Sequence, residues 1–319
     1  MTAARFISDE LFSDSAWGAV LAQAYGFTLT RVAGWPAAVL NDLAGRRVSF
    51  LPFSDCLPLD SVAELTELLR ATERQYPDHR IILKTRLAEA DGPPGTTVVR
   101  RAVGHRFFPG GQGSSAFRRG VRRARREGVT VRKATDEAAR RRFQTMYHWQ
   151  RLRKFGGIPQ PASFFTALHE EFVAKSRGYY LEAYSATSHH LATFVMLTAG
   201  RGLFYKFGTS DPAGLSLRPN NLLLEVMADE VRAGKHDFLD LGLSGTSDAY
   251  AGLRAFKSST GALTYPITYF EQSARGEAPV TDAVTFRNFL GELTNSLVAL
   301  DAAPEIVNPL SEKIYRYFA

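Results

Sequence analysis

A single cysteine, Cys56, stands in 319 residues. That excludes a disulfide framework and any cysteine-based metal site. No apolar run approaches the roughly 20 residues that span a bilayer. Met1–Glu10 has no basic stretch leading into an apolar one, so no secretory signal is expected. Several catalytic signatures are also missing. There is no Gly-x-x-x-x-Gly-Lys-[Ser/Thr] phosphate loop and no Gly-x-Gly-x-x-Gly after a strand. His169-Glu170-Glu171 lacks the second histidine of a zinc-binding helix, and Gly242-Leu243-Ser244-Gly245 is one residue short of a nucleophile elbow. His189-His190 reads as a solvated turn. These absences favour chemistry that asks for positioning and electrostatics more than for a dedicated nucleophile or metal. Acyl transfer from an already activated ester or thioester is such chemistry.

Hydrophobic residues make up 45% and charged residues 22% of the chain, enough for a full core. The net charge of +7 is unevenly placed. Residues 100–154 hold 17 basic and three acidic residues, a net of +14, so the remainder is −7. A belt of this kind concentrates and steers polyanions. A soluble cytoplasmic protein is expected.

Apolar periodicity places a helix over Ser15–Tyr25, then strands over Phe27–Val32, Ala37–Leu40 and Val48–Phe53. A helix follows to Gln75 with Asp60 as its expected N-cap, then a strand over Arg80–Arg86 and a loop at Asp91–Gly95. Ser114-Ser115 opens the basic helix, ended by Gly128. Arg118, Arg122 and Arg125 share one of its faces, and Arg119, Arg123 and Arg126 the adjacent one. All six are expected to contact RNA phosphates. A strand over Val129–Lys133 precedes a long helix with Phe143, Tyr147 and Trp149 facing inward. Strands over Tyr179–Ala186, Leu191–Ala199 and Leu203–Gly208, a helix over Leu217–Gly234, a strand at Phe238–Gly242, a short helix and a last strand follow. Two amphipathic helices, Asp282–Leu300 and Pro304–Phe318, close the chain. Strands and helices alternate, which indicates an α/β fold. The similar rhythm on either side of the belt suggests a structural duplication.

Four runs resemble the Fem family of aminoacyltransferases, within the GNAT superfamily. They are Phe117–Val131 (FRRGVRRARREGVTV), Gln150–Phe165 (QRLRKFGGIPQPASFF), Leu217–Glu225 (LRPNNLLLE) and Asp240-Leu241-Gly242 followed by Gly252–Lys257 (GLRAFK). Ser49–Pro58 matches a strand-turn of the same family. The resemblance implies an α/β (α+β) fold of two tandem GNAT-like domains around a central cleft, residues 1–113 and a catalytic 114–319 begun by the basic helix. No heptad run long enough for the helical hairpin of some members is present, so the armless form is implied. It also implies aminoacyl-tRNA as donor, an amine on a small molecule or peptidoglycan precursor as acceptor, and no cofactor. GNAT enzymes that use acyl-CoA carry a glycine-rich strand–helix junction. Here that junction is Ser216-Leu217-Arg218-Pro219-Asn220-Asn221, without glycine.

In the resembling family the lysine of the Phe-Lys pair sits at the donor carbonyl, which places Lys257 there, where an ammonium stabilises an oxyanion. Asp240, in an apolar strand, needs a partner. It orients Lys257 or an arginine, or caps a loop. Tyr205 and Lys206 alternate on a strand, so one of the two faces the site. Asp240 and Tyr205 join Lys257 as catalytic candidates. Arg254, Phe256, Arg218, Asn220, Asn221, Tyr250, Arg151 and Arg153 are the substrate-binding candidates. Three functions stay open: an aminoacyl-tRNA-dependent transferase, an acyl-CoA-dependent N-acyltransferase, and a non-catalytic RNA-binding protein. The belt favours the first and third, the glycine-free junction disfavours the second, and the Phe-Lys pair disfavours the third.

Overall fold

The structure, a computed structural model, describes residues 10–42, 45–53, 56–59, 61–87, 92–154, 156–274 and 282–315. The chain divides into two compact units, Met1–Gly104 with Tyr265–Ala319, and His105–Thr264. The expected division ran contiguously through Gly113, whereas here the closing helices group with the N-terminal unit. Asp60 and Asp91, expected as a helix cap and a loop start, lie outside the described residues.

The first unit opens with helices α1 (Glu10–Ser13) and α2 (Ser15–Tyr25), and strands β1 (Thr28–Val32), β2 (Trp35–Asp42) and β3 (Gly45–Phe50). Helix α3 (Val62–Gln75) leads to β4 (Arg80–Thr85) and β5 (Thr97–Phe107). The second unit continues with α4 (Ser115–Arg126), β6 (Thr130–Ala134), α5 (Glu137–Arg153), α6 (Ala162–Leu168), β7 (Gly178–Tyr184), β8 (His190–Ala199) and β9 (Gly202–Ser210). Then come α7 (Pro219–Arg232), β10 (Phe238–Gly245) and α8 (Ala251–Ser259). Strand β11 (Leu263–Gln272) returns the chain to the first unit, which ends with α9 (Asp282–Ala299) and α10 (Pro304–Ile314). Among the described residues no helix is long and apolar enough to cross a membrane.

The two units repeat one pattern. In the first, β1 pairs antiparallel with β2, β2 antiparallel with β3, and β3 parallel with β4 through α3. In the second, β7 pairs antiparallel with β8, β8 antiparallel with β9, and β9 parallel with β10 through α7. The duplication read from the sequence rhythm is therefore present in strand topology. Each parallel pair holds only three residue pairs before the strands part, after Ser49/Ile82 and after Asp240/Phe204.

The two partings are filled differently. In the first unit the backbone N–H of Leu57 donates to the carbonyl of Lys84 at 2.7 Å, and Lys84 Nζ donates to the carbonyl of Leu51 at 2.6 Å. Cys56 and Leu57 are buried. The chain itself thus occupies the gap beside β4. Ser61, in the N-cap place expected of Asp60, accepts from the N–H of Glu64 and donates to its carboxylate, a capping box that seals α3. In the second unit α7, the counterpart of α3, has no side-chain cap.

In the second unit α4 and α7 pack on one face of the sheet through Phe117, Val121, Ala124, Leu223 and Met227. The other face carries an aromatic cluster in which Phe143, Tyr147, Phe164 and Phe165 surround Phe207. Trp149 is exposed, contrary to expectation. It follows Tyr147 by two helical residues, about 200° around the axis, so the two cannot share a buried face.

Candidate active site

Helix α4 explains its own position. Ser114 Oγ accepts from the N–H of Phe117 at 3.1 Å and starts the helix. Phe117, Gly120, Val121 and Ala124 are buried at spacings of three and four, which turns all six arginines outward. The helix lies close to α7: a Cβ at Gly120 would stand 2.7 Å from Asn221 Nδ2. Glycine at 120 therefore sets how near the basic helix comes to the start of α7.

That start is open. Arg218 takes the left-handed conformation (φ 62°, ψ 38°) between a 3-10 turn and α7, Pro219 follows, and no side chain caps the helix. Asn220 Nδ2 donates to Ser210 Oγ at 3.3 Å, so Asn220 ties back to β9. Pro219 has no N–H, and the N–H groups of Asn221 and Leu222 donate to the carbonyl of Arg218, so the helix dipole and the neighbouring arginines are what favour an anion here. A cavity of about 610 Å³ opens here, with Arg119, Gly120, Arg123, Arg218, Asn221 and Phe256 among its lining residues and no carboxylate on its wall. Residues singled out for different reasons, RNA contact and substrate contact, thus meet in one place.

Lys257 is buried at the inner end of α8, and its Nζ donates to the carbonyl of Leu243 at 2.8 Å. Asp240, near the last β9 pairing, is engaged elsewhere. Its Oδ2 accepts from Arg106 at 2.8 and 3.2 Å, and its Oδ1 accepts from the N–H of Gly242 at 2.7 Å. Of the alternatives open for Asp240, the arginine is the partner, together with the turn. Arg106 also lies over the ring of Phe238, 4.5 Å from its centre.

Tyr205 packs edge-on against Phe194, with ring centres 4.6 Å apart, and covers Gly208. Burial pushes its hydroxyl pKa up, so it is a donor and no base. The strand carries an extra residue here: Met196 faces Tyr205 and Val195 faces Phe207, leaving Lys206 in a bulge. Strict alternation therefore fails at the pair the sequence reading relied on. The Arg254 guanidinium donates to the carbonyls of Gly245 and Ser247. Tyr250 lies over Gly245 and is half exposed. Arg151 and Arg153 sit in the last turn of α5, where cations complement the helix dipole, and do not line the cavity. Arg118 donates to the carbonyl of Gly113, while Arg122, Arg125 and Arg126 extend the charge outside the cavity.

The sequence reading missed His105 and Arg106, both fully buried on β5. Neither ring nitrogen of His105 has a hydrogen-bond partner. Burial first, then the charge of Lys257, lowers its pKa to about 4. Folded His105 is thus neutral where an unfolded histidine, near 6.5, begins to take up a proton. Stability should be greatest above about pH 6.5 and fall towards pH 4, by up to about 1.4 kcal/mol per unit for each such group. In thermal melts between pH 7 and 4.5, His105→Gln should lose less stability than the wild type. Equal slopes would remove His105 from the acid response. Among the described residues no three His, Cys, Asp or Glu side chains gather to hold a metal ion.

Residues 111–257 match the model of a family described as an acetyltransferase (GNAT) domain. No curated protein matches the chain in sequence. Among solved structures it is similar to FemX, at 12% identity and a TM-score of 0.63, over 86% of this chain and 96% of that one. L-PGS from Bacillus licheniformis matches at 12% identity and a TM-score of 0.54, over 83% and 89%. The C-terminal domain of an Agrobacterium fabrum protein described as a lysylphosphatidylglycerol synthetase matches at 13% and 0.56, over 93% and 98%. At such identities the likeness is one of fold.

Proposed function

We propose that this chain, a Fem-like protein of the GNAT fold, is an acyltransferase that takes its acyl group from aminoacyl-tRNA. The observation that carries the reading is the cavity where Arg119, Arg123 and Arg218 meet the start of α7, with no carboxylate among its lining residues and Glu127 standing 3.9 Å from Arg123. Such a wall suits a phosphodiester, and the remaining arginines of α4 extend the same charge outwards for further phosphates. The names of the fold neighbours FemX and lysylphosphatidylglycerol synthetase agree with aminoacyl transfer.

The acceptor amine attacks the ester carbonyl at the 3′ end of the charged tRNA. A C–N bond forms, the bond from the carbonyl carbon to the ribose oxygen breaks, and the amine's proton ends on the ribose hydroxyl. The ester is already activated, so neither ATP nor a metal enters this step. Lys257 stabilises the oxyanion, with its ammonium steadied by the carbonyl of Leu243. Asp240 acts from behind the site by holding Arg106, and Tyr205 by filling the sheet beneath it. The acceptor is an amine on a small molecule or a peptidoglycan precursor.

The family match favours acyl-CoA as a second donor, and its pyrophosphate would meet the same arginines. The two readings differ in how many phosphates lie along α4. Changing Arg119, Arg123 and Arg218 together to alanine should weaken tRNA binding and flatten its salt dependence, by roughly 0.7 per lost single-strand contact on a log–log plot. Changing Arg118, Arg122 and Arg125 should flatten it further if the strand continues along the helix. An unchanged slope in both triple variants would leave the belt without a role in RNA binding.

A further inference from the structure

After Asp240 the ladder with β9 stops, the chain turns at Gly242 (φ 67°), and β10 runs on to Gly245. Carbonyls at a strand edge need donors when they are not left to water. Those of Leu243 and Gly245 lie two residues apart at the end of the strand, and that of Ser247 lies in the bend that follows it. The donors come from α8. Lys257 Nζ meets Leu243 at 2.8 Å, and Arg254 Nη1 meets Gly245 at 2.5 Å and Ser247 at 2.8 Å. Arg254 and Lys257 are three apart and share a helix face. Two side chains of one short helix thus replace the hydrogen bonds of a neighbouring strand.

We propose that Arg254 is a positioning residue for Lys257. Its guanidinium clamps the tail of β10, and the clamped tail presents the Leu243 carbonyl that aims the ammonium. The cation expected to bind substrate is therefore turned to backbone, one step removed from the reacting atoms. The ring of Tyr250 closes over the same tail: a Cβ at Gly245 would stand 2.7 Å from it. A planar, pre-organised guanidinium suits a two-carbonyl clamp, whereas lysine in its place offers a single point charge on a flexible stem. The proposal rests on Lys257 being the group at the donor carbonyl, but its test separates the two ideas.

The variants are Arg254→Ala and Arg254→Lys, each with and without added guanidinium chloride at millimolar concentration. The first readout needs no substrate: the rate at which acetic anhydride labels Lys257, read by peptide mass spectrometry across pH. The second is single-turnover transfer from charged tRNA beside a direct tRNA-binding measurement. Labelling of Lys257 should rise on the order of tenfold in Arg254→Ala, the worth of one charge-assisted hydrogen bond. Guanidinium should reverse part of that rise. Turnover should fall on the order of 10- to 100-fold, as for a displaced catalytic group, while tRNA affinity holds. Arg254→Lys should fall between, and it decides the matter if the alanine variant does not fold. Unchanged labelling in the folded variants overturns the proposal whatever the donor is. Loss of tRNA affinity with unchanged labelling does so too and makes Arg254 a substrate contact. Raised labelling in a protein whose wild type transfers nothing from charged tRNA upholds the clamp and overturns the donor reading.

Discussion

Lys257→Ala should lower single-turnover transfer on the order of a hundred- to a thousandfold while tRNA affinity barely moves. The reaction places negative charge on one oxygen, and a fixed ammonium acts mainly while that charge exists. On the proposed reading, binding is spread over the arginines of the cavity wall and α4, so it should survive the loss of one lysine. Lys257 is already buried and held by the carbonyl of Leu243. Its neighbour Phe256 lines the cavity and Lys257 itself does not, so the expected loss also tests whether the ammonium reaches the reacting oxygen. Lys257→Arg should recover part of the rate, because the planar guanidinium sets its charge elsewhere. Transfer at the wild-type rate would remove Lys257 from the mechanism. Equal losses of turnover and affinity would make it a phosphate contact.

Asp240→Ala should cost the second unit about 3–5 kcal/mol of stability. Arg106 and Asp240 are both almost wholly buried and joined at 2.8 Å, so removing the carboxylate takes a charged partner from a buried guanidinium. It also removes the acceptor for the N–H of Gly242, where the chain turns through φ 67° as the strands part. Arg106→Met combined with Asp240→Leu should recover much of the loss, since an apolar pair leaves no buried charge behind. The measurement is denaturant unfolding followed by a probe in the second unit, because two units need not unfold together. A loss below about 1 kcal/mol, the scale of an exposed ion pair, would show that the pair is not sealed from water.

The parts of this fold that could be read in the sequence are those set by near neighbours. Ser114 caps α4 and its arginines fall outward because apolar residues recur at three and four. Pro219 starts α7, and the Phe-Lys pair lies on a short helix after β10, as the residue order suggested. What could not be read depends on distant residues or on irregularity. Arg106 and Asp240 are 134 residues apart, and no local pattern couples them. The bulge at Lys206 breaks the alternation used to orient Tyr205. The commitment of Arg254 to two carbonyls follows from strands that part, which a sequence pattern does not record. His105 and Arg106 do leave a signal in the sequence: two titratable residues in an apolar stretch, where burial demands a reason.

What this site accepts as donor decides its function. The direct measurement is donor consumption under single-turnover conditions, with the wild type and Lys257→Ala each mixed with charged tRNA or with acyl-CoA, and an amine acceptor pool. The wild type should consume charged tRNA and form an amide faster than water releases the amino acid, with acyl-CoA untouched and the alanine variant slow. Consumption of acyl-CoA with charged tRNA left intact would contradict the account.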